Sequence, residues 1–128
     1  MGTFTKFHLD VSLDQSKLTT EFIETLVEDL KWFNDRRSCY FSMVKSYAIF
    51  KSEKGMYENP NTISINCSCK NYNSEIENFI KLIEPFIEYN SEKWEDDKMF
   101  IGYFQKYGNK PNLIYYNNLI GKIVIEKF

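Results

Sequence analysis

A chain of 128 residues, 43% hydrophobic and 17% aromatic, can bury about 68% of its unfolded surface in one core without disulfide staples, which excludes long disordered stretches. Lys and Arg total 16 against 18 acidic residues, a formal charge of −2, and this excludes the broad positive field of a duplex-binding protein. No apolar run approaches the roughly 20 residues of a membrane span or resembles a secretory signal, and Lys6 stands where an N-myristoylation motif wants Ser or Thr. The expectation is one soluble, intracellular globular domain over residues 1–128 that does not engage a membrane.

In chain order, Phe4 to Leu13 alternates apolar and polar residues and reads as a strand. Thr19 to Asp35 follows as a helix, with Asp14, Ser16 and Thr19 or Thr20 as N-cap candidates and an apolar stripe of Phe22, Ile23, Leu26, Val27, Leu30 and Phe33. Glu21, Glu24, Glu28 and Asp35 lie off that stripe and predict an acidic, solvated face. Cys39 to Phe50 and Thr62 to Cys69 read as an antiparallel pair joined by the polar loop Lys51 to Asn61, in which Met56 and Tyr57 form an apolar pair suited to insertion into a partner.

A second helix spans Ser74 to Tyr89. Glu77 stands three residues after Ser74 at capping-box spacing, Ile76, Phe79, Ile80, Ile83, Phe86 and Ile87 form the stripe, and Pro85 predicts a bend. Ser91 to Asp97 is an acidic turn around Trp94. Three strands close the chain, Met99 to Tyr107, Leu113 to Tyr116 and Ile120 to Ile125, joined by Gly108-Asn-Lys-Pro and by Asn117-Asn118. The order β-α-β-β-α-β-β-β implies an α+β fold, a mainly antiparallel sheet with both helices on one face. Its first six elements match a ferredoxin-like split βαβ, extended by a hairpin.

Catalytic and cofactor patterns are sparse. His8 is the sole histidine, and Asp10, two positions along the same strand face, is the carboxylate that could orient it in a minor enzyme. Cys67 and Cys69 share a face, and with Cys39 and His8 would make up a scattered Cys3His zinc set; buried thiols are the simpler expectation, in keeping with a reducing cytoplasm. The five glycines build neither a P-loop nor a dinucleotide fingerprint. No metal and no cofactor is expected. Tyr40, Tyr47, Tyr103, Tyr107, Tyr115 and Tyr116 could stack bases, but the Lys/Arg-Gly-aromatic consensus of RNA-recognition domains is missing, and a homodimer covering the second sheet face explains the same residues.

A non-catalytic protein-binding module is therefore the expected function: an inhibitor of the immunity-protein or phage anti-defence type that occludes a basic surface of a nuclease or another nucleic-acid-binding enzyme. The Lys-, Asn- and Ile-rich composition suits a low-GC bacterium or its phage. The expected contact surface centres on Trp94, Glu95, Asp96 and Asp97, extends to Tyr103 and Tyr107, and has Met56 and Tyr57 as a second candidate, because aromatic anchors and acidic steering suit such a task. A ligand-sequestering protein with an aromatic pocket is the alternative, ahead of an enzyme centred on His8 and Asp10.

Overall fold

The computed structural model describes residues 4–35, 47–52, 61–89 and 97–128. Six strands form one antiparallel sheet: β1 Thr5–Ser12, β2 Tyr47–Ser52, β3 Asn61–Cys69, β4 Lys98–Lys106, β5 Asn112–Asn117 and β6 Lys122–Lys127, in the spatial order β2-β3-β1-β4-β5-β6. The helices are α1, Thr20–Asp35, and α2, Glu75–Ile83. The first four strands have ferredoxin-like order, and the β5–β6 hairpin extends the sheet beyond β4, as the sequence predicts.

Alternation makes the sheet two-sided. Phe7, Leu9 and Val11 of β1 and Ile63, Ile65, Cys67 and Cys69 of β3 are buried beneath the helices. Lys6, His8, Asp10 and Ser12 share the opposite face with Thr62, Ser64, Asn66 and Ser68. The buried seam of α1 is Phe22, Leu26, Leu30 and Phe33, and that of α2 is Ile76, Phe79, Ile80 and Ile83. One ring each from β1, α1 and α2 meets at the centre: Phe33 of α1 lies 5.4 Å from Phe7 of β1 and 5.2 Å from Phe79 of α2, between ring centroids. This triangle locks both helices to the same face of the sheet, and tilted and edge-to-face pairs of this kind add to area burial.

The structure corrects several local expectations. Val27 is 51% exposed and outside the core, because a seam running through residues 22, 26, 30 and 33 turns position 27 about 100° away from 26. Ser74 stands at the N-cap of α2 as expected, but its backbone is left-handed (φ 57°) and its side chain makes no capping bond; Asn71 supplies it instead, with Oδ1 accepting from Ile76 N (2.9 Å) and Nδ2 donating to Glu77 Oε1 (2.7 Å). Pro85 does not bend a helix running to Tyr89. α2 ends at Ile83, Pro85 sits in the 3-10 turn Glu84–Phe86, and the chain then extends so that Leu13 and Ile87 pair as a bridge. Phe86 stacks on Phe22 with centroids 3.8 Å apart, and Glu84 Oε2 accepts from Ile123 N at 2.7 Å, tying this turn to both α1 and β6. Ile120, expected in the last strand, lies in the Asn118–Gly121 turn and is exposed; its position opposite no β5 residue leaves it unpaired.

Sequence alternation also fails once inside β4. Phe100 pairs with Tyr115 and Gly102 with Ile114, so Ile101 is the extra residue of a β-bulge. Met99 and Ile101 face the core, while Phe100 and Tyr103, three apart, both face away from the helices. Gly102 is obligatory here: a Cβ would overlap the His8 carbonyl oxygen and lie 2.9 Å from Leu9 Cα.

Candidate functional site

On the helical side, side chains one step around from each buried seam face one another. Thr25, Asp29, Trp32 and Phe33 recur at i, i+4, i+7 and i+8 on α1, and Glu75, Asn78, Phe79 and Leu82 at i, i+3, i+4 and i+7 on α2. They line a groove of about 330 Å³ between the helices. Its floor is aromatic, with Trp32 edge-on to Phe33 at 5.2 Å and Phe33 edge-on to Phe79 at 5.2 Å.

The groove lies in a strongly acidic layer. α1 carries five carboxylates (Glu21, Glu24, Glu28, Asp29 and Asp35) against Lys31, and α2 with its following turn carries three (Glu75, Glu77 and Glu84) against Lys81. Glu21, Glu24 and Glu28 are exposed. Glu77 is held by Asn71 and Glu84 by the Ile123 amide, and Glu75 Oε2 accepts from Asn73 N at 3.1 Å. Asp29 is different: no basic side chain among the described residues pairs with it, and partial burial together with the neighbouring Glu28 charge pushes its carboxyl above the usual range.

On the opposite side of the sheet the described side chains are nearly balanced, with Lys6, Lys98 and Lys122 against Asp10 and Glu126, while the register places Lys106 and Lys127 on the helical side. Over β1 and β3 the exposed face is small and polar. Over β4 and β5 it is aromatic: His8 stacks on Tyr103 at 5.7 Å, Phe100 (37% exposed) meets Tyr115 edge-on at 5.5 Å, and Lys98 covers the Tyr115 ring at 4.2 Å while pairing with Glu126 at 2.7 Å. Asp10 accepts a hydrogen bond from the Ser64 hydroxyl at 3.0 Å, so the two members of the expected His8–Asp10 pair are each held by another neighbour.

Of the surface expected from sequence, Trp94, Glu95 and Asp96 lie outside the described residues, as do Met56, Tyr57 and Cys39. Asp97 opens β4 in a left-handed conformation (φ 53°), and both its carbonyl and its carboxylate accept from Asn118. Tyr107, 86% exposed, lies in the turn just after the same strand. Ten positions along a strand separate these two by roughly 30 Å, with Tyr103 between them on the open face, so the structure does not gather them into one patch. Cys67 and Cys69 face the core and His8 the open side, which separates the cysteines from the histidine as ligands of one ion. A hydrogen bond with Cys69, then burial, pushes the Cys67 thiol far up, so it stays protonated and unreactive.

Asp29 and Trp32 escape a search for apolar periodicity because they flank the core stripe. The available signal was a second stripe, Thr25-Asp29-Trp32, with polar and aromatic residues at helical spacing beside Phe22-Leu26-Leu30-Phe33. Among the described residues no helix is long and apolar enough to cross a membrane, and no three His, Cys, Asp or Glu side chains cluster as a metal site. Comparison of the chain with protein-family models, curated proteins and solved structures gives no match.

Proposed function

We propose that this chain is a non-catalytic binding module of the cytoplasm whose acidic helical layer covers a basic surface of a protein partner. The partner class that fits is a nuclease or another nucleic-acid-binding enzyme, whose cationic cleft is shaped for a polyanion, and the biological role is inhibition of the immunity or anti-defence type. One observation carries this reading: among the described residues, α1, α2 and the turn after α2 carry eight acidic residues against two basic ones, in a chain whose overall charge is only −2. Such a field speeds encounter with an oppositely charged surface, and a rigid two-layer fold presents it with little ordering cost.

The test is a triple variant, Glu24→Lys with Glu21→Lys and Glu28→Lys, compared with the parent protein against a partner first identified by pull-down and mass spectrometry. The variant should fold normally, associate at least tenfold more slowly at low salt and lose most of its salt dependence. Unchanged association across salt would move the interface off the helices.

A further inference from the structure

We infer that the groove between α1 and α2 is a socket for an arginine side chain projected by the partner protein. This rests on the acidic layer being the partner-facing side, and it names the chemistry at its centre. The groove offers an aromatic floor and carboxylates on both walls, Asp29 from α1 and Glu75 from α2, with Leu82 completing the apolar lining. At about 330 Å³ it lies near the lower end of ligand-pocket volumes. That space suits a flat head group on an aliphatic stem better than a nucleotide or a larger metabolite.

The charge pattern selects a cation. Asp29 lies partly buried in a groove floored by aromatic rings, its carboxyl raised by that burial and by the Glu28 charge, and has no basic partner among the described residues. A carboxylate so placed gains most from a counter-charge delivered into the groove, because the pair forms where water screens it least. Of the two basic side chains, guanidinium fits better than ammonium. It is planar and weakly hydrated, stacks on aromatic faces such as Trp32, and its several N–H donors can address carboxylates on two walls at once.

Two blocked ten-residue peptides with the central sequence Leu-Arg-Leu or Leu-citrulline-Leu provide the probe, titrated into the ¹⁵N-labelled full chain and followed by NMR. The arginine peptide should shift the Trp32 indole N–H and the Asp29 and Glu75 amides in a saturable way, and should bind at least tenfold more tightly than its uncharged citrulline twin. Asp29→Asn should weaken binding at least tenfold while leaving the spectral dispersion of a folded protein, and Trp32→Leu should weaken it independently. Equal binding of the two peptides, undiminished binding to Asp29→Asn, or shifts confined to the open sheet face would overturn the socket. Free argininamide binding as tightly as the peptide would make the natural occupant a small amine and would equally overturn docking of a protein. If the peptides fail while the helical charge reversal still slows partner association, the acidic face stands and the socket falls; if the peptides succeed while charge reversal changes nothing, the broader acidic reading falls.

Discussion

The two outward sides of this molecule are built from the same sheet and differ in almost every property that recognition uses. The helical side is acidic, grooved and floored by rings that continue into the core through Phe33 and Phe79. The open side is flat, polar over β1 and β3, and aromatic over β4 and β5, where its carboxylates Asp10 and Glu126 are both satisfied locally. Tyrosine-rich strand surfaces draw attention first in a sequence, yet here Tyr103 stacks on His8, Tyr115 meets Phe100, and Lys98 pairs with Glu126. A carboxylate in a groove with no basic partner among the described residues is the stronger sign of a site for a cation.

The largest effect that can break this comparison comes from the ring triangle. Phe33→Ala should cost about 3–5 kcal/mol, and Leu30→Ala about 2–5 kcal/mol, in chemical denaturation. Val27→Ala, on the same helix, should change stability by no more than about 0.5 kcal/mol. Similar losses at Val27 and Phe33 would mean the helix is rotated and the groove is not where it is described.

Gly102→Ala sharpens the comparison from the sheet side. The added methyl meets backbone of β1, which cannot swing away, so a loss of roughly 1–3 kcal/mol is expected. Hydrogen exchange should show faster opening at the β1–β4 pairing, while the β5–β6 hairpin keeps its protection.

The smallest effect is the most specific. Burial and the Glu28 charge raise the carboxyl of Asp29 in the folded state. The folded protein therefore holds that proton more tightly than the unfolded chain, and stability falls as pH rises from the unfolded value through the raised one. Asp29→Asn removes this penalty, so it should raise the melting temperature slightly at neutral pH and lose that advantage as the pH drops below the carboxylate range. A variant that melts higher yet binds worse marks a residue kept for recognition. Lower stability of Asp29→Asn at neutral pH would instead assign Asp29 a structural role.

Much of the fold was legible because long amphipathic periods determine which face is buried. The α1 and α2 stripes, the alternation of β1 and β3 and the ferredoxin-like order all follow from it. The misses were local and have physical causes. Asn71 rather than Ser74 makes the side-chain capping bond because Ser74 is left-handed, Pro85 lies beyond the end of α2 where the chain extends beside Leu13, and Ile120 falls in the turn before β6. The candidate site was less legible. Carboxylates close in sequence, such as Glu95 to Asp97, stand out along a chain, whereas Asp29 and Glu75 belong to different helices and come to line one groove only through the packing of Phe33 against Phe79.

The most direct measurement is an NMR footprint of the captured partner on the full chain. Perturbations should concentrate at Thr25, Asp29, Trp32, Glu75 and Asn78, with the exposed Glu21, Glu24 and Glu28 at their margin. Perturbations at His8, Phe100, Tyr103 and Tyr115, with the helical amides unmoved, would contradict an acidic helical binding face and assign recognition to the open sheet.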